Sequence, residues 1–222
     1  MIRLEHISKS YTKKGGQSIS VLNEITCSIE KGEMVAIIGR SGAGKTTLLN
    51  ILSGLLKEDK GEYFFDNECI SNLNRKKRDE FREKNIGMIV QDYALLHSLS
   101  AQENILLPIK YRKHDKEAID EKKQILSEKL GITHCLDKKV YELSGGECQR
   151  VAIARALIKE PSVILADEPT GSLDQKSEQE VLKLLYDLKE QGKTIVVVTH
   201  STHVANYCDR ILEIVDGKMK AL

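Results

Sequence analysis

The chain has 222 residues, 41% of them hydrophobic and 30% charged, which is the composition of a globular protein of one domain, or of one core with an inserted lobe. Thirty-four Lys+Arg against 33 Asp+Glu leave a formal charge of +1, so no bulk electrostatic attraction to nucleic acid or an anionic membrane surface is expected. No apolar run approaches the ~18 residues of a membrane span, and the charged, alternating N-terminus is not that of a signal peptide. A soluble protein is expected, linked to any membrane through a partner.

In chain order, Ile2, Leu4 and His6 alternate with Arg3, Glu5 and Ile7 and predict an opening strand. Gly15–Gly16 marks a turn, and Val21 to Ile29 reads as a second strand with Ile25, Cys27 and Ile29 on one face. Met34–Ile38 (MVAII) is an unbroken apolar run that suits a strand covered on both faces. A glycine-rich loop and a helix over Leu48–Leu56 follow. Lys57–Ile70 has turn and short-strand character, and the mixed charges of Arg75–Lys84 predict a solvated helix. Met88–Val90 is a short apolar stretch. From Gln91 to about Glu160 the pattern is helical, and the segment reads as an inserted lobe. Strand character returns at Val163–Ala166. A helix follows with Val181, Leu184, Leu185 and Leu188 on its apolar face, ended by Gly192. Thr194–Thr199 predicts a buried strand, and Arg210–Val215 with Asp216–Gly217 and Lys218 a closing hairpin. Strand and helix in alternation imply a largely parallel α/β sheet.

The loop Gly39-Arg40-Ser41-Gly42-Ala43-Gly44-Lys45-Thr46 fits the phosphate-binding pattern G-x-x-x-x-G-K-[ST], between an apolar strand and a helix as that motif requires. Its glycines permit sharp turns and close approach of backbone N–H groups to phosphate oxygens, and the following helix N-terminus favours the anion. Lys45 is expected to reach the β- and γ-phosphates and Thr46 to ligate Mg²⁺. Val163–Ala166 ends in Asp167 and Glu168. A strand-end Asp beside such a loop suits Mg²⁺, and Glu168, pointing differently, suits the orientation and deprotonation of a water.

Leu143-Ser144-Gly145-Gly146-Glu147, followed by Cys148-Gln149-Arg150, resembles the signature of ATP-binding cassette ATPases, and the resemblance runs from Met1 to Leu222. It implies a P-loop NTPase (RecA-like) core with a mostly parallel sheet, an N-terminal antiparallel β subdomain and an inserted α-helical lobe. One domain is expected over 1–222, with 1–91 and 160–222 as the core and 92–159 as the helical signature subdomain.

By the same resemblance Tyr11 stacks on adenine, Gln91 senses the γ-phosphate and contributes to the metal, Asp174 belongs to the D-loop Ser172-Leu173-Asp174, and His200 is the switch histidine. ATP and Mg²⁺ are the implied cofactors. The expected set is Glu168, His200, Lys45 and Gln91 for catalysis, and Thr46, Gln91 and Asp167 for the metal. Tyr11, Gly39, Arg40, Ser41, Gly42, Ala43, Gly44, Lys45, Thr46, Thr47, Ser144, Gly145, Gly146, Glu147 and Asp174 are expected to bind nucleotide. Small residues and free N–H groups at a helix start form a second anion site. In this family that site serves a second copy, two chains enclosing two nucleotides head-to-tail.

Integral membrane permease subunits are the further implied partners, placing the chain at the cytoplasmic face of a membrane. QENILLP and LADEPTGSLD look most like the branch of macrolide export, lipoprotein release and antimicrobial-peptide resistance. A division-type relative signalling through a membrane protein shares these motifs. A DNA-repair cassette is disfavoured because the stretch between Gln91 and Ser144 is too short for a coiled-coil insertion, and a ribosome-acting one because the chain carries one cassette.

One departure is Cys148, where relatives carry Gln; a thiol there is expected to tune dimer contacts or confer oxidation sensitivity. The five cysteines are odd in number and none has C-x-x-C spacing, which argues against both a disulfide framework and a zinc site.

Overall fold

The computed structural model describes residues 1–12, 16, 18–110 and 115–221. Of the expected Gly15–Gly16 turn, Gly15 lies outside the described residues, and Gly16 has a positive φ of 85°.

The N-terminal strands β1 (Ile2–Thr12) and β2 (Ser18–Ile29) pair antiparallel, and β1 also pairs antiparallel with β4 (Lys60–Phe65), which pairs with β5 (Glu68–Cys69). The expected alternation of β1 fails at one place. His6 adopts φ 52° and is exposed, whereas Ile7 is fully buried beside Ile2 and Leu4. The register runs Leu4 opposite Cys27 and then Ile7 opposite Ile25, so three steps on β1 match two on β2. This bulge inserts one residue and switches the side-chain face, which a period of two does not anticipate. Glu24, also at positive φ, lets Leu22 join Ile25 and Ile29 on the buried side of β2.

The second sheet has the order β10-β9-β3-β8-β7-β6. Strands β3 (Met34–Ile38), β6 (Ile86–Ile89), β7 (Val163–Asp167), β8 (Thr194–Val198) and β9 (Arg210–Val215) run parallel, and β10 (Lys218–Ala221) closes the edge antiparallel to β9. Both faces are covered, and the pleat divides the core between them. Val35, Ile37, Val163, Leu165, Val196 and Val198 pack with the antiparallel sheet and helix α1 (Lys45–Leu52). Met34, Ile89, Ile164, Ala166, Ile195 and Val197 pack with the helices on the opposite side. This two-sided burial is why these strands read as continuous apolar runs.

Helix α1 starts and stops earlier than expected, because the last residues of the glycine-rich loop already form its first turn and Gly54 at φ 72° follows its end. Helix α2 (Arg75–Asn85) is solvated as its charges imply. It is capped by Asn74 and buries only Phe81, which meets Phe65 and Tyr63 edge-on at centroid distances of 5.0 and 6.1 Å.

Between β6 and β7 come α3 (Ala101–Leu106), α4 (Lys116–Lys129) and α5 (Gly145–Leu157). Their apolar residues join the sheet face in one cluster rather than forming a separate core. Helix α6 (Gln175–Glu190) buries Val181, Leu185 and Leu188 as predicted, with Leu184 partly buried against the same cluster, and Leu182 is buried in addition. The short α7 (Thr202–Ala205) follows β8.

Candidate functional site

Four neighbouring parallel strands end on the same side. Beyond β3 lies the glycine-rich loop, beyond β6 Gln91, beyond β7 Glu168, and beyond β8 Thr199 and His200. The carboxyl ends of such strands are where open α/β sheets place ligands.

The loop turns where a Cβ would not fit. Gly39 has φ 152°, and a Cβ on it would lie 2.5 Å from the Ile214 carbonyl oxygen. Gly44 has φ 104°, and its Cβ would meet the Val21 carbonyl at 2.8 Å. The Lys45 ammonium folds back over the loop and donates to the carbonyls of Gly39 at 2.8 Å and Arg40 at 3.1 Å. Arg40, Ser41, Gly42 and Ala43 border a cleft whose other wall includes Ile19 and Asp216. Tyr11, 45% exposed, stands near the end of β1 opposite Ile19. Thr47 continues α1 behind Thr46.

The Thr46 hydroxyl donates to Asp167 Oδ2 at 3.1 Å, which joins the start of α1 to the end of β7. Burial raises the Asp167 carboxyl above its usual range and the nearby Glu168 adds to this, while the Thr46 bond and Lys45 act in the other direction. Glu168 adopts φ 46°, a left-handed conformation rare for a residue with a Cβ. Its backbone N–H donates to the Val198 carbonyl at 2.8 Å, and its carboxylate turns toward β8. There Oε2 accepts from the Thr199 hydroxyl at 3.1 Å and Oε1 shares a 2.7 Å hydrogen bond with His200 Nδ1. Glu168 is thus held at both oxygens, while the His200 side chain remains 71% exposed. Gln91 is exposed, with its amide nitrogen 3.9 Å from where a Cβ on Gly171 would stand.

Ser144 caps α5. Its hydroxyl accepts from the Glu147 N–H at 3.3 Å, and Glu147 Oε2 accepts from the Ser144 N–H at 2.7 Å. This reciprocal box settles the helix start. Glu147 Oε1 shares a 2.8 Å hydrogen bond with His134 Nε2. Around the two glycines stand Tyr93 and Leu173 near Gly145, and Ser177 near Gly146. Asp174 caps α6, accepting from the N–H groups of Lys176 and Ser177 at 3.0 Å each and from the Ser177 hydroxyl at 2.7 Å. The structure therefore brings Lys45, Thr46, Asp167, Glu168 and His200 to one edge. Ser144, Gly145, Gly146, Glu147 and Asp174 form a second cluster with partners of their own.

A family model described as ABC transporter matches residues 22–171. The chain is 44% identical over 220 residues to the ABC transporter ATP-binding protein YxdL of Bacillus subtilis, covering 99% of this chain and 85% of that one. This chain belongs to the ABC transporter family. It is 46% identical over 203 residues to the macrolide export ATP-binding/permease protein MacB of a Shewanella species, covering 91% of this ABC chain but only 31% of that protein. Among solved structures, the dimeric ABC transporter cassette MJ0796 superposes with a TM-score of 0.91 at 39% identity, over 100% of this chain and 99% of that one. The post-hydrolysis dimer of the same cassette, bound to ADP and Pi, gives 0.90 at 38% identity and the same coverage. The chain is an ABC-type ATPase with the α/β cassette fold.

Several residues of this ABC ATPase that sequence reasoning passed over hold the site together. Thr199 is the second partner of Glu168, and only its place before His200 in TIVVVTH hints at this. The Arg155 guanidinium, from α5, donates to the carbonyls of Ala94 at 2.5 Å and Tyr93 at 2.6 Å, two residues at positive φ. The Tyr93 hydroxyl is hydrogen-bonded to Ser172 Oγ at 2.9 Å, and the Gln149 side-chain amide donates to the Pro169 carbonyl. These bonds fasten the signature helix to the segments following Gln91 and Glu168. No local pattern announces them, because each joins residues far apart in sequence.

Cys148 corrects an expectation. It is 6% exposed within the core cluster, its thiol points to the Val140 carbonyl, and burial raises its pKa. A buried, protonated thiol is a poor nucleophile and a poor surface contact, so neither oxidation sensitivity nor a dimer contact follows. Alkylation of the native protein at neutral pH is expected to leave Cys148 unmodified until denaturant is added, as read by peptide mass spectrometry.

Glu147 gives a pH signature. The Ser144 N–H, foremost, and then His134 hold its pKa at about 2, below the ordinary value of 4.5. Its stabilising contribution is therefore complete above the unfolded pKa and is lost as pH falls from there through about 2. The stability gap between wild type and Glu147→Gln, measured by chemical denaturation, is expected to be widest above pH ~5 and to narrow steadily on acidification.

Proposed function

We propose that this chain is the ATP-hydrolysing subunit of a membrane transporter and works as a head-to-tail pair of copies on two Mg-ATP. The observation that carries this reading is the edge shared by Lys45, Thr46, Asp167, Glu168 and His200, where a phosphate loop, a metal-suited oxygen pair and a held carboxylate meet. The loop N–H groups and Lys45 bind the phosphates, with adenine toward Tyr11. Thr46 Oγ1 and Asp167 Oδ2, 3.1 Å apart, with the Gln91 amide, form a hard-oxygen set that fits Mg²⁺. The bound ion would supply charge neutralisation at the phosphate oxygens.

Glu168 orients the attacking water and accepts its proton, and His200 and Thr199 fix that carboxylate's direction. Lys45 offsets the charge that develops on the transferred phosphoryl. Ser144 and Gly146 hold the phosphates bound to a second copy. The dimeric cassette structures similar to this chain support that arrangement. The core is taken as residues 1–91 and 160–222 and the signature subdomain as 92–159.

Among the described residues, no helix is long and apolar enough to cross a membrane. The chain spans about a third of the macrolide-export relatives, which carry a permease as well. The proposed place of the chain is the cytoplasmic face of a membrane, acting on integral membrane permease subunits. A groove between the sheet edge and α5, with Leu55, Met88 and Pro108 beside the charged Asp79, Arg82 and Lys159, offers the permease a seat of mixed apolar and charged character. Export, lipoprotein release or antimicrobial-peptide resistance is the class of work proposed. The test is affinity capture of tagged Glu168→Gln from native membranes in ATP. A permease with a large extracytoplasmic domain is the expected companion. A division protein would point to signalling instead, and recovery solely from the soluble fraction with nucleic acid or ribosomes would overturn the transporter reading.

A further inference from the structure

Beside the signature, and separate from the nucleotide edge, lies a cluster of three different metal-ligating groups. The ligand atoms of His134, Cys135 and Glu147 all fall within 4.8 Å of one another. We propose that these three side chains form a binding site for a thiophilic divalent cation of the Zn²⁺ class, clamping the single 3-10 turn Thr133–Cys135 to the start of the signature helix.

The ligand set suits the ion. Zn²⁺ takes nitrogen, sulfur and carboxylate oxygen at about 2.0–2.3 Å in a tetrahedron, which puts neighbouring ligand atoms roughly 3.5 Å apart. His134 Nε2 and Glu147 Oε1 stand 2.8 Å apart and share one proton; the ion takes that proton's place, the proton passing through solvent to Nδ1 of the same ring, while the two atoms separate slightly. Glu147 can ligate without giving up its structural work, because the other oxygen, Oε2, holds the Ser144 N–H. The Cys135 thiol donates to the Ile132 carbonyl at 3.1 Å, so binding breaks that bond and releases one proton to solvent. One thiolate and one carboxylate then balance the charge of the ion.

Cys135 is fully buried, whereas the His134 side chain is 58% exposed, so the ion enters from the His134 side and keeps water in the fourth position. The spacing also explains why a search for C-x-x-C finds nothing: two ligands are adjacent in sequence, and only the packing of α5 against the turn supplies the third.

The test is a titration of the nucleotide-free protein, in excess Mg²⁺, with Co²⁺ as a spectroscopic probe and Zn²⁺ as its competitor. The expected result is one Co²⁺ per chain with a thiolate-to-metal charge-transfer band, displaced by Zn²⁺. The band should vanish in Cys135→Ala, and Co²⁺ affinity should fall at least ~10-fold in His134→Ala, whose exposed side chain is removed without disturbing the core. Absence of a thiolate band in the wild-type protein, or a band and affinity unchanged in His134→Ala, would overturn the proposal.

Discussion

Glu168→Gln is expected to slow ATP hydrolysis by about 10²–10⁴-fold while leaving ATP binding within a few-fold of wild type. The amide keeps the size of the carboxylate. With its amide oxygen in the place of Glu168 Oε2 it still accepts from the Thr199 hydroxyl, and its NH₂, in the place of Oε1, donates to His200 Nδ1, so the local geometry persists. What it loses is the capacity to take a proton from water. Because none of the loop's own contacts involve Glu168, nucleotide affinity is retained. The substitution should therefore trap a pair of copies around unhydrolysed ATP. Phosphate release, nucleotide binding and size-exclusion chromatography in Mg-ATP check the three parts. Hydrolysis at the wild-type rate would remove Glu168 from the role of base.

Lys45→Ala is expected to lower kcat/KM for ATP on the order of 10²–10³-fold, with the loss shared between binding and turnover. The ammonium already lies over the loop, held by the Gly39 and Arg40 carbonyls, so it reaches the phosphates by a small rearrangement. No other basic side chain begins α1. Stability should hardly change, since Lys45 occupies the first turn of the helix and Ala is the best helix former. Steady-state kinetics with a thermal melt separate the two effects. Lys45→Arg should restore little, because a planar fork does not fit where a compact point charge sits between two carbonyls.

Much of the core was legible because it depends on local pattern. Met34–Ile38 forms β3 over the span its apolar run marks, and Val163–Ala166 and Thr194–Thr199 mark β7 and β8 to within a residue. A strand buried on both faces has no reason to carry polar residues, so its limits show in sequence. The face of β1 was not legible. Whether His6 or Ile7 is buried depends on a bulge whose position is set by pairing with β2. Helix α6 shows a milder limit: periodicity marked its apolar side, Leu184 included, but the width of the face that also buries Leu182 is set by the neighbouring sheet. Cys148 stood out by identity alone, and its burial removed the roles that identity suggested.

By itself, the sequence determined the phosphate loop, the acids ending β7 and the signature, because each is a short run whose residue types answer to backbone conformation and charge. The family follows from those runs taken in order. Only the tertiary structure decided that Thr199 and His200 grip Glu168 from the end of the neighbouring strand, that Arg155 ties the signature helix to the Tyr93 carbonyl while the Tyr93 hydroxyl reaches Ser172, and that His134, Cys135 and Glu147 meet. Hydrogen bonds and metal-ligand contacts act over about 2–4 Å in space whatever the separation along the chain, so packing alone brings such partners together.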